Sequence, residues 1–272
     1  MGKLIWMSDI HLNFIGAGRG VPMNDLLAFY TKLKESEGDS ILITGDIAES
    51  HNVVPTLIQM QQMTNKPIYF VLGNHDFYGS SVADVRKSVQ NIGKDIHWIP
   101  GNSGTELSAS TILVGVDAWG DCRNGDYENS RITMSDWIYI KELHKGYRTG
   151  QAELKAAIQK LADTDARALN RSVTKAVKRG YKKVIIATHV PPFAEACLYA
   201  GRKSTPDGLC FWSSQILGTS IEPIAKANPD VQFDWYCGHT HSGVTLNVLN
   251  NLVVNVAQAD YYDPQIAGII EF

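Results

Sequence analysis

The stretch PIYFVLGNHDFYG, residues 67–79, decides how the chain is read. An apolar run from Ile68 to Leu72 delivers the backbone to Gly73, and an amide, an imidazole and a carboxylate follow as Asn74, His75 and Asp76. Gly and Asn are ordinary at a strand end, because both accept the backbone angles of tight turns. An imidazole at the tip of a buried strand has no such conformational reason. Its meaning depends on how the other strands of the chain end.

Short apolar runs rich in β-branched residues recur: KLIWM at 3–7, SILIT at 40–44, PIYFV at 67–71 and TILVGV at 111–116. KKVIIAT at 182–188, FDWYC at 233–237, NLVVNVA at 251–257 and a final AGIIEF complete the set. Helix-patterned segments at 24–36 and 53–64 separate the early runs. Continuous apolar strands alternating with helices predict sheets covered by helices, with parallel pairing at least at the start. The last third reads as consecutive strands joined by tight turns, as around Asn250 and Asn251. A mixed α/β sandwich of two sheets accommodates both halves.

No repeat, low-complexity tract or interdomain linker interrupts the chain, so 1–272 reads as one domain with a loop-plus-helix insertion at about 119–180. That insertion has a polar loop, a short helix near 134–144 and a long helix from roughly Thr149 to Arg179. The 190–212 loop carries Phe193, Tyr199, Arg202, Phe211 and Trp212. At 44% hydrophobic and 19% charged the balance is that of an ordinary globular protein, and a net charge of −3 argues against a chain that is basic overall and lives on nucleic acid. The opening MGKLIWMSDIHL is too short an apolar stretch for a signal peptide or membrane span. Cys122, Cys197, Cys210 and Cys237 form no CxxC pair. They read as reduced thiols of a cytoplasmic protein.

Five strand ends carry one kind of chemistry. The run at 3–7 leads to Asp9 and His11, and that at 40–44 to Gly45 and Asp46. The run at 67–71 leads to Asn74, His75 and Asp76, that at 182–188 ends at His189, and that at 233–237 leads to Gly238, His239, Thr240 and His241. Ligands of open α/β sheets bind beyond the carboxyl ends of strands, so these ends can meet in one place. By composition D-x-H is expected about 0.5 times, which makes it worthless alone, but G-H-x-H about 0.02 times and G-N-H-D about 0.002 times. His51, His97 and His144 are left over.

Asp9, His11, Asp46, Asn74, His189, His239 and His241 amount to two carboxylates, one amide oxygen and four imidazoles. That is too many ligands for one four-coordinate zinc, and it suits two metals if one carboxylate bridges them. Mixed N and O donors favour Mn, Fe or Zn. Each of these residues alone fits a satisfied core polar group or a turn. The set does not, because burying all of it without a metal leaves several groups in need of partners.

In this order, D-x-H, G-D, G-N-H-D, H and G-H-x-H, the motifs resemble those of the calcineurin-like metallophosphoesterases, over residues 9 to 241. The resemblance implies a four-layer α/β/β/α sandwich of two mixed sheets flanked by helices, with a dinuclear metal site at the strand ends. It implies one metal held by Asp9, His11, Asp46 and His241, and a second by Asp46, Asn74, His189 and His239, with Asp46 bridging. It also implies attack on phosphorus by a hydroxide bridging two divalent ions. His75 would then assist the leaving group or the transition-state charge, with Asp76 favouring its cationic form.

The motifs depart from the Ser/Thr protein phosphatase branch, which resembles GDxHG, GDxVDRG and GNHE. Here they read SDIHL, GDIAES and GNHD, and the arginine-bearing second motif is absent. One cation for a monoester's extra charge is thereby missing, which favours a phosphodiesterase acting on a small-molecule or nucleotide phosphoester. Arg19, Arg123 and Arg202 lie in loops near motif ends, as candidate replacements for a phosphomonoesterase, though each alone reads as a solvated surface residue. GAGRG at 16–20 lacks the G-x-G-x-x-G spacing and reads as a rim loop. A basic stripe, Arg167, Arg171, Lys175, Lys178 and Lys182, keeps a nuclease in view. A solvated face of an amphipathic helix is the preferred reading of it. A non-catalytic binding scaffold ranks last, since no ligand position is substituted.

Overall fold

Alternation within each apolar run decides which layer a side chain enters. In the computed structural model, which describes residues 2–14, 23–101 and 104–272, β1 (Lys3–Met7) sends Ile5 and Met7 to a helix-covered face and Leu4 and Trp6 to the opposite face. β2 (Ser40–Thr44) and β3 (Ile68–Val71) divide the same way, with Ile41, Ile43, Ile68 and Phe70 under helices and Leu42 and Val71 between the sheets. β4 (Ile96–Trp98) and β5 (Thr105–Glu106) are short. β6 (Thr111–Gly115) and β7 (Lys183–Ala187) place Ile112, Val114, Val184 and Ile186 under a second helical layer and Leu113, Ile185 and Ala187 between the sheets. Each fully buried side chain of this kind contributes about 1.5–3 kcal/mol, and burial on both faces is why these runs are continuously apolar.

A small hairpin, β8 (Leu198–Tyr199) with β9 (Arg202–Lys203), stands apart from the sheets. β10 (Gln232–Cys237), β11 (Val244–Leu249), β12 (Leu252–Val256) and β13 (Gly268–Glu271) complete the strands. One sheet has the order β13-β1-β2-β3-β4 and the other β11-β12-β10-β7-β6-β5. β1 to β4 are parallel, as are β6, β7, β10 and β12, while β13, β5 and β11 pair antiparallel at or next to the edges. The tight turn at Asn250 and Asn251 joins β11 to β12 as expected. β10, however, pairs in parallel with β12 and not with its successor β11, so the last third is not a simple meander.

Helices α1 (Met23–Glu35), α2 (Ser50–Thr64) and α3 (Val82–Ser88) cover the first sheet, through Phe29, Leu33, Val53, Leu57 and Val85 among others. The 119–180 segment carries α4 (Asp136–Tyr139), α5 (Lys141–Thr149) and α6 (Gln151–Lys178). α7 (Pro206–Trp212) and α8 (Gln215–Ala227) follow. α6 is no appendage: Leu169, Val173 and Ala176 join Leu217, Ile221 and Ala225 of α8 in the core that covers the second sheet. Its basic residues Arg167, Arg171, Lys175 and Lys178 are exposed.

One ion-pair cluster ties the two halves together. Arg86 of α3 donates through Nε to Asp117 beyond β6 (2.8 Å) and through Nη2 to Asp165 of α6 (2.7 Å). Asp117 also accepts from the backbone N–H of Leu72, just beyond β3. All four cysteines are buried and unpaired. Among the described residues no helix is long and apolar enough to cross a membrane.

Candidate metal centre

The five strand ends converge. β1, β2 and β3 bring Asp9, His11, Asp46 and Asn74 from one sheet, and β7 and β10 bring His189, His239 and His241 from the other. Each strand stops in a sharp turn. Asp9, His11, Asp46, His239 and His241 have φ of 54°, 40°, 53°, 72° and 54°. This left-handed region costs a residue with a side chain about 1–3 kcal/mol, and such strain persists where surrounding structure over-determines it. Here the turns lock one another: Asp9 N–H donates to the Gly45 carbonyl (3.0 Å), His11 N–H to that of Asp46 (3.0 Å) and Gly238 N–H to that of His189 (2.8 Å). Gly238 is the point at which the two sheets' strand ends touch, since a Cβ there would overlap Ser8 Oγ and Asp9 Oδ2. Gly73 stands against Asp46 in the same way.

The side chains form two groups of inward-facing acceptors that share Asp46. In the first, His189 Nδ1 lies 2.9 Å from the Thr44 carbonyl, to which it donates, so its Nε2 is turned into the site. That Nε2 lies 3.1 Å from Asn74 Oδ1, 3.4 Å from Asp46 Oδ1 and 3.2 Å from His239 Nδ1. The Asn74 amide is oriented by its Nδ2, which donates to Asp136 Oδ1 at 2.9 Å and turns Oδ1 inward. A proton on His239 Nδ1 serves only one of these acceptors. In the second group His241 Nε2 lies 3.3 Å from Asp9 Oδ1 and 3.5 Å from His11 Nε2, which lies 3.6 Å from Asp46 Oδ2. Few protons are shared among these converging atoms, and the donor set of imidazole, carboxylate and amide oxygen fits divalent ions. Among the described residues, three overlapping sets meet the geometry for holding a metal: Asp9, His11 and His241; His11, Asp46 and His75; and Asp9, Asp46 and His189.

The electrostatics point the same way. Burial, and then His75, hold His11 well below the usual imidazole range. Burial and His189 push His239 down to about 3 and His75 down to about 4, which keeps these rings neutral. Burial opposes charge on His241, but its partner Asp9 outweighs that and raises it. Burial also works to raise Asp9, and is outweighed by His241 and His189, which hold it low. Burial and the charge of Asp9 raise Asp46 well above the carboxylate range. Two buried carboxylates that cannot both ionise easily are what a bound cation relieves.

All seven ligand candidates of the sequence reading are thus brought together, with His75 at their edge. Its Nε2 is 4.0 Å from Asp46 Oδ2, its Nδ1 is buried without a partner, and its ring stacks on Tyr78. The expected pairing of His75 with Asp76 is corrected. The Asp76 carboxylate is fully buried and accepts from the backbone N–H groups of Ile47 (2.9 Å), Ala48 (2.9 Å) and Gly73 (2.8 Å), so it fastens the two turns that carry Asp46 and Asn74. The structure therefore offers no counter-charge by which Asp76 would favour a cationic His75.

Of the candidate cations, Arg123 is taken up by Asp121 (3.2 Å) and Asp163 (2.7 Å), Arg202 lies exposed on β9, and Arg19 lies outside the described residues, as does GAGRG at 16–20. His51 is exposed, His97 stacks on Tyr69, and His144 lies on α5. Sequence reasoning missed Asp136, Tyr78 and Tyr261. Asp136 follows no strand and sits on a four-residue helix, so no pattern marked it, although its Oδ1 accepts from Asn74 and, at 2.6 Å, from the Tyr78 hydroxyl. Tyr261 lies over His11 and His241, with ring centroids 4.7 Å away in both cases. A cavity of about 380 Å³ opens above the site, lined by Asp46, Asn74, His75, His239 and His241, by Thr133, Met134, Ser135 and Thr240, and by Tyr78, Tyr199, Trp212 and Tyr261.

A family model described as calcineurin-like phosphoesterase matches residues 2–243. A 3′,5′-cyclic adenosine monophosphate phosphodiesterase from Haemophilus influenzae is 29% identical over 107 residues, which are 35% of this chain and 39% of that protein's length. Among solved structures, a dimetal phosphatase from Danio rerio superposes with a TM-score of 0.58 at 15% identity, covering 94% of this chain and 87% of that one. A phosphopantetheinyl hydrolase from Mycobacterium tuberculosis does so with 0.54 at 12% identity, covering 94% and 88%. These likenesses show the sandwich fold.

Proposed function

The chain belongs to the calcineurin-like phosphoesterase family, and from that premise we propose that it is a dinuclear metal-dependent phosphoester hydrolase with a preference for diesters. The observation that carries the metal centre is the division of Asp46, whose Oδ1 lies 3.4 Å from His189 Nε2 and whose Oδ2 lies 3.6 Å from His11 Nε2. Two divalent ions, Mn, Fe or Zn by the donor set, supply Lewis-acid activation of water and neutralise phosphoryl charge when bound there.

The chain's own residues do the rest. Asp9, His11 and His241 would hold one ion and Asn74, His189 and His239 the other, with Asp46 shared between them. His75, at the cavity wall beside Asp46, would donate a hydrogen bond from the Nε2 of its neutral ring to a phosphoryl or leaving oxygen. Tyr78 and Tyr261 flank the site histidines.

The diester preference rests on charge. Among the described residues that line the cavity there is no arginine or lysine. A diester carries one negative charge and a monoester close to two, so the monoester has more need of a cationic clamp. The basic face of α6 contributes nothing to the cavity, which supports a small substrate over a nucleic acid. Reduced, buried thiols fit a cytoplasmic setting.

The test is hydrolysis of bis-p-nitrophenyl phosphate against p-nitrophenyl phosphate by protein stripped of metal and reloaded with Mn²⁺. Faster turnover of the diester is expected, and 3′,5′-cyclic AMP, the compound in the name of the Haemophilus relative, is the first natural diester to assay. Faster turnover of the monoester would replace the reading with a phosphomonoesterase. Absence of turnover with both would favour a binding scaffold.

A further inference from the structure

One wall of the cavity is an aromatic shelf that the metal chemistry does not use. Tyr199 stacks on Trp212 with ring centroids 5.0 Å apart and planes 19° from parallel. Both rings line the cavity, yet Tyr199 is 60% exposed. A large aromatic ring held open to solvent forgoes the stabilisation that burial gives it elsewhere in the fold.

The shelf is built rather than incidental. Tyr199 ends β8, and the turn to β9 has positive φ at both central residues, Ala200 at 48° and Gly201 at 71°, which is the twist that suits a two-residue hairpin. Gly201 N–H donates to Ser242 Oγ at 3.2 Å, which pins the hairpin tip beside His241. Trp212 is seated from below, because its indole occupies the space that a Cβ on Gly208 would take. The Trp212 carbonyl also accepts from Cys197 Sγ, in the residue before β8. A second aromatic wall, Tyr261, is 47% exposed and leans over His11 and His241. The phosphoester position therefore lies at the floor of a cleft with aromatic walls, and the described lining has no arginine or lysine to attract further phosphates.

We propose that Tyr199 and Trp212 form a binding subsite for a flat aromatic group carried by the phosphoester, so that the substrate class is a nucleoside or aryl phosphodiester. This rests on the hydrolase reading for the word substrate, while the subsite itself rests on the shelf. Tyr199 and Trp212 act on specificity, and they have no part in holding the metals. Stacking of one base on such a platform raises affinity by about tenfold.

The test is calorimetric titration of the Mn²⁺-loaded protein with two ligand pairs. Adenosine 5′-phosphate against ribose 5-phosphate reports a nucleobase, and phenyl phosphate against methyl phosphate reports a simple aryl ring. Tighter binding of the ring-bearing member of either pair, by about tenfold, is expected in the wild type. Tyr199→Ala should abolish that advantage and Tyr199→Phe should keep it. A gain in the first pair alone marks a nucleoside, and a gain in the second alone an aryl ester. Equal affinities within both pairs, immeasurable binding of all four included, or a gain that survives Tyr199→Ala, would overturn the subsite. Turnover of bis-p-nitrophenyl phosphate is measured on the same sample. A ring preference without turnover leaves the subsite standing and removes the hydrolase, and turnover without a ring preference does the reverse.

Discussion

His75 and Asp76 are neighbours in sequence with separate tasks in the structure. His75 faces the cavity, whereas Asp76 is buried under it and accepts three backbone N–H groups. Substituting His75→Ala is expected to lower kcat by about 10²–10⁴-fold with metal content and thermal midpoint unchanged. Asp76→Asn turns an amide N–H₂ toward a backbone N–H and should cost about 1–3 kcal/mol of stability, read as a lower urea midpoint at unchanged slope. If His75→Ala kept full turnover with both metals bound, its role would be wrong. Asp136 is the other residue whose task is visible only in three dimensions. It fixes the Asn74 amide from a distance of 62 residues along the chain. Removing such a support costs about 10–100-fold in metal affinity. Equilibrium dialysis of Asp136→Ala should show that loss, and unchanged affinity would make the contact incidental.

At the scale of elements, the apolar runs at 3–7, 40–44 and 67–71 gave strand positions within a residue, because burial on both faces leaves no room for polar residues. β4 and β5 escaped notice: IHW and TE are too short and too mixed to show a period. Pairing was harder to read than position. β10 and β12 are parallel neighbours although β11 lies between them in sequence, and nothing local to those residues encodes which strand returns to which. The cluster of Arg86, Asp117 and Asp165 was equally hidden, since its members come from α3, the end of β6 and α6. It joins elements of both halves, and Asp117 and Asp165 are almost fully buried. Arg86→Met leaves two buried carboxylates without their partner and should destabilise the chain by about 3–5 kcal/mol. A change below 1 kcal/mol in chemical denaturation would show that water replaces the guanidinium.

At the scale of the molecule, the candidate centre was legible because its chemistry sits at strand ends. Seven donors from five separate strands carry the same signature, and parallel strands in two facing sheets bring their carboxyl ends to one place. What surrounds the donors was not legible. Cavity walls come from the segment just before α4, from α7, the small hairpin and the segment after β12, where side chains meet only through tertiary packing. The central claim is that Asp46 joins two ions in one centre. Its most direct test is the metal content of the chain, stripped and then dialysed to equilibrium with Mn²⁺, for wild type beside Asp46→Asn. The account predicts two ions per chain in the wild type and loss of both on substitution at the same free Mn²⁺. A single ion or none in the wild type, or two retained by Asp46→Asn, would contradict it.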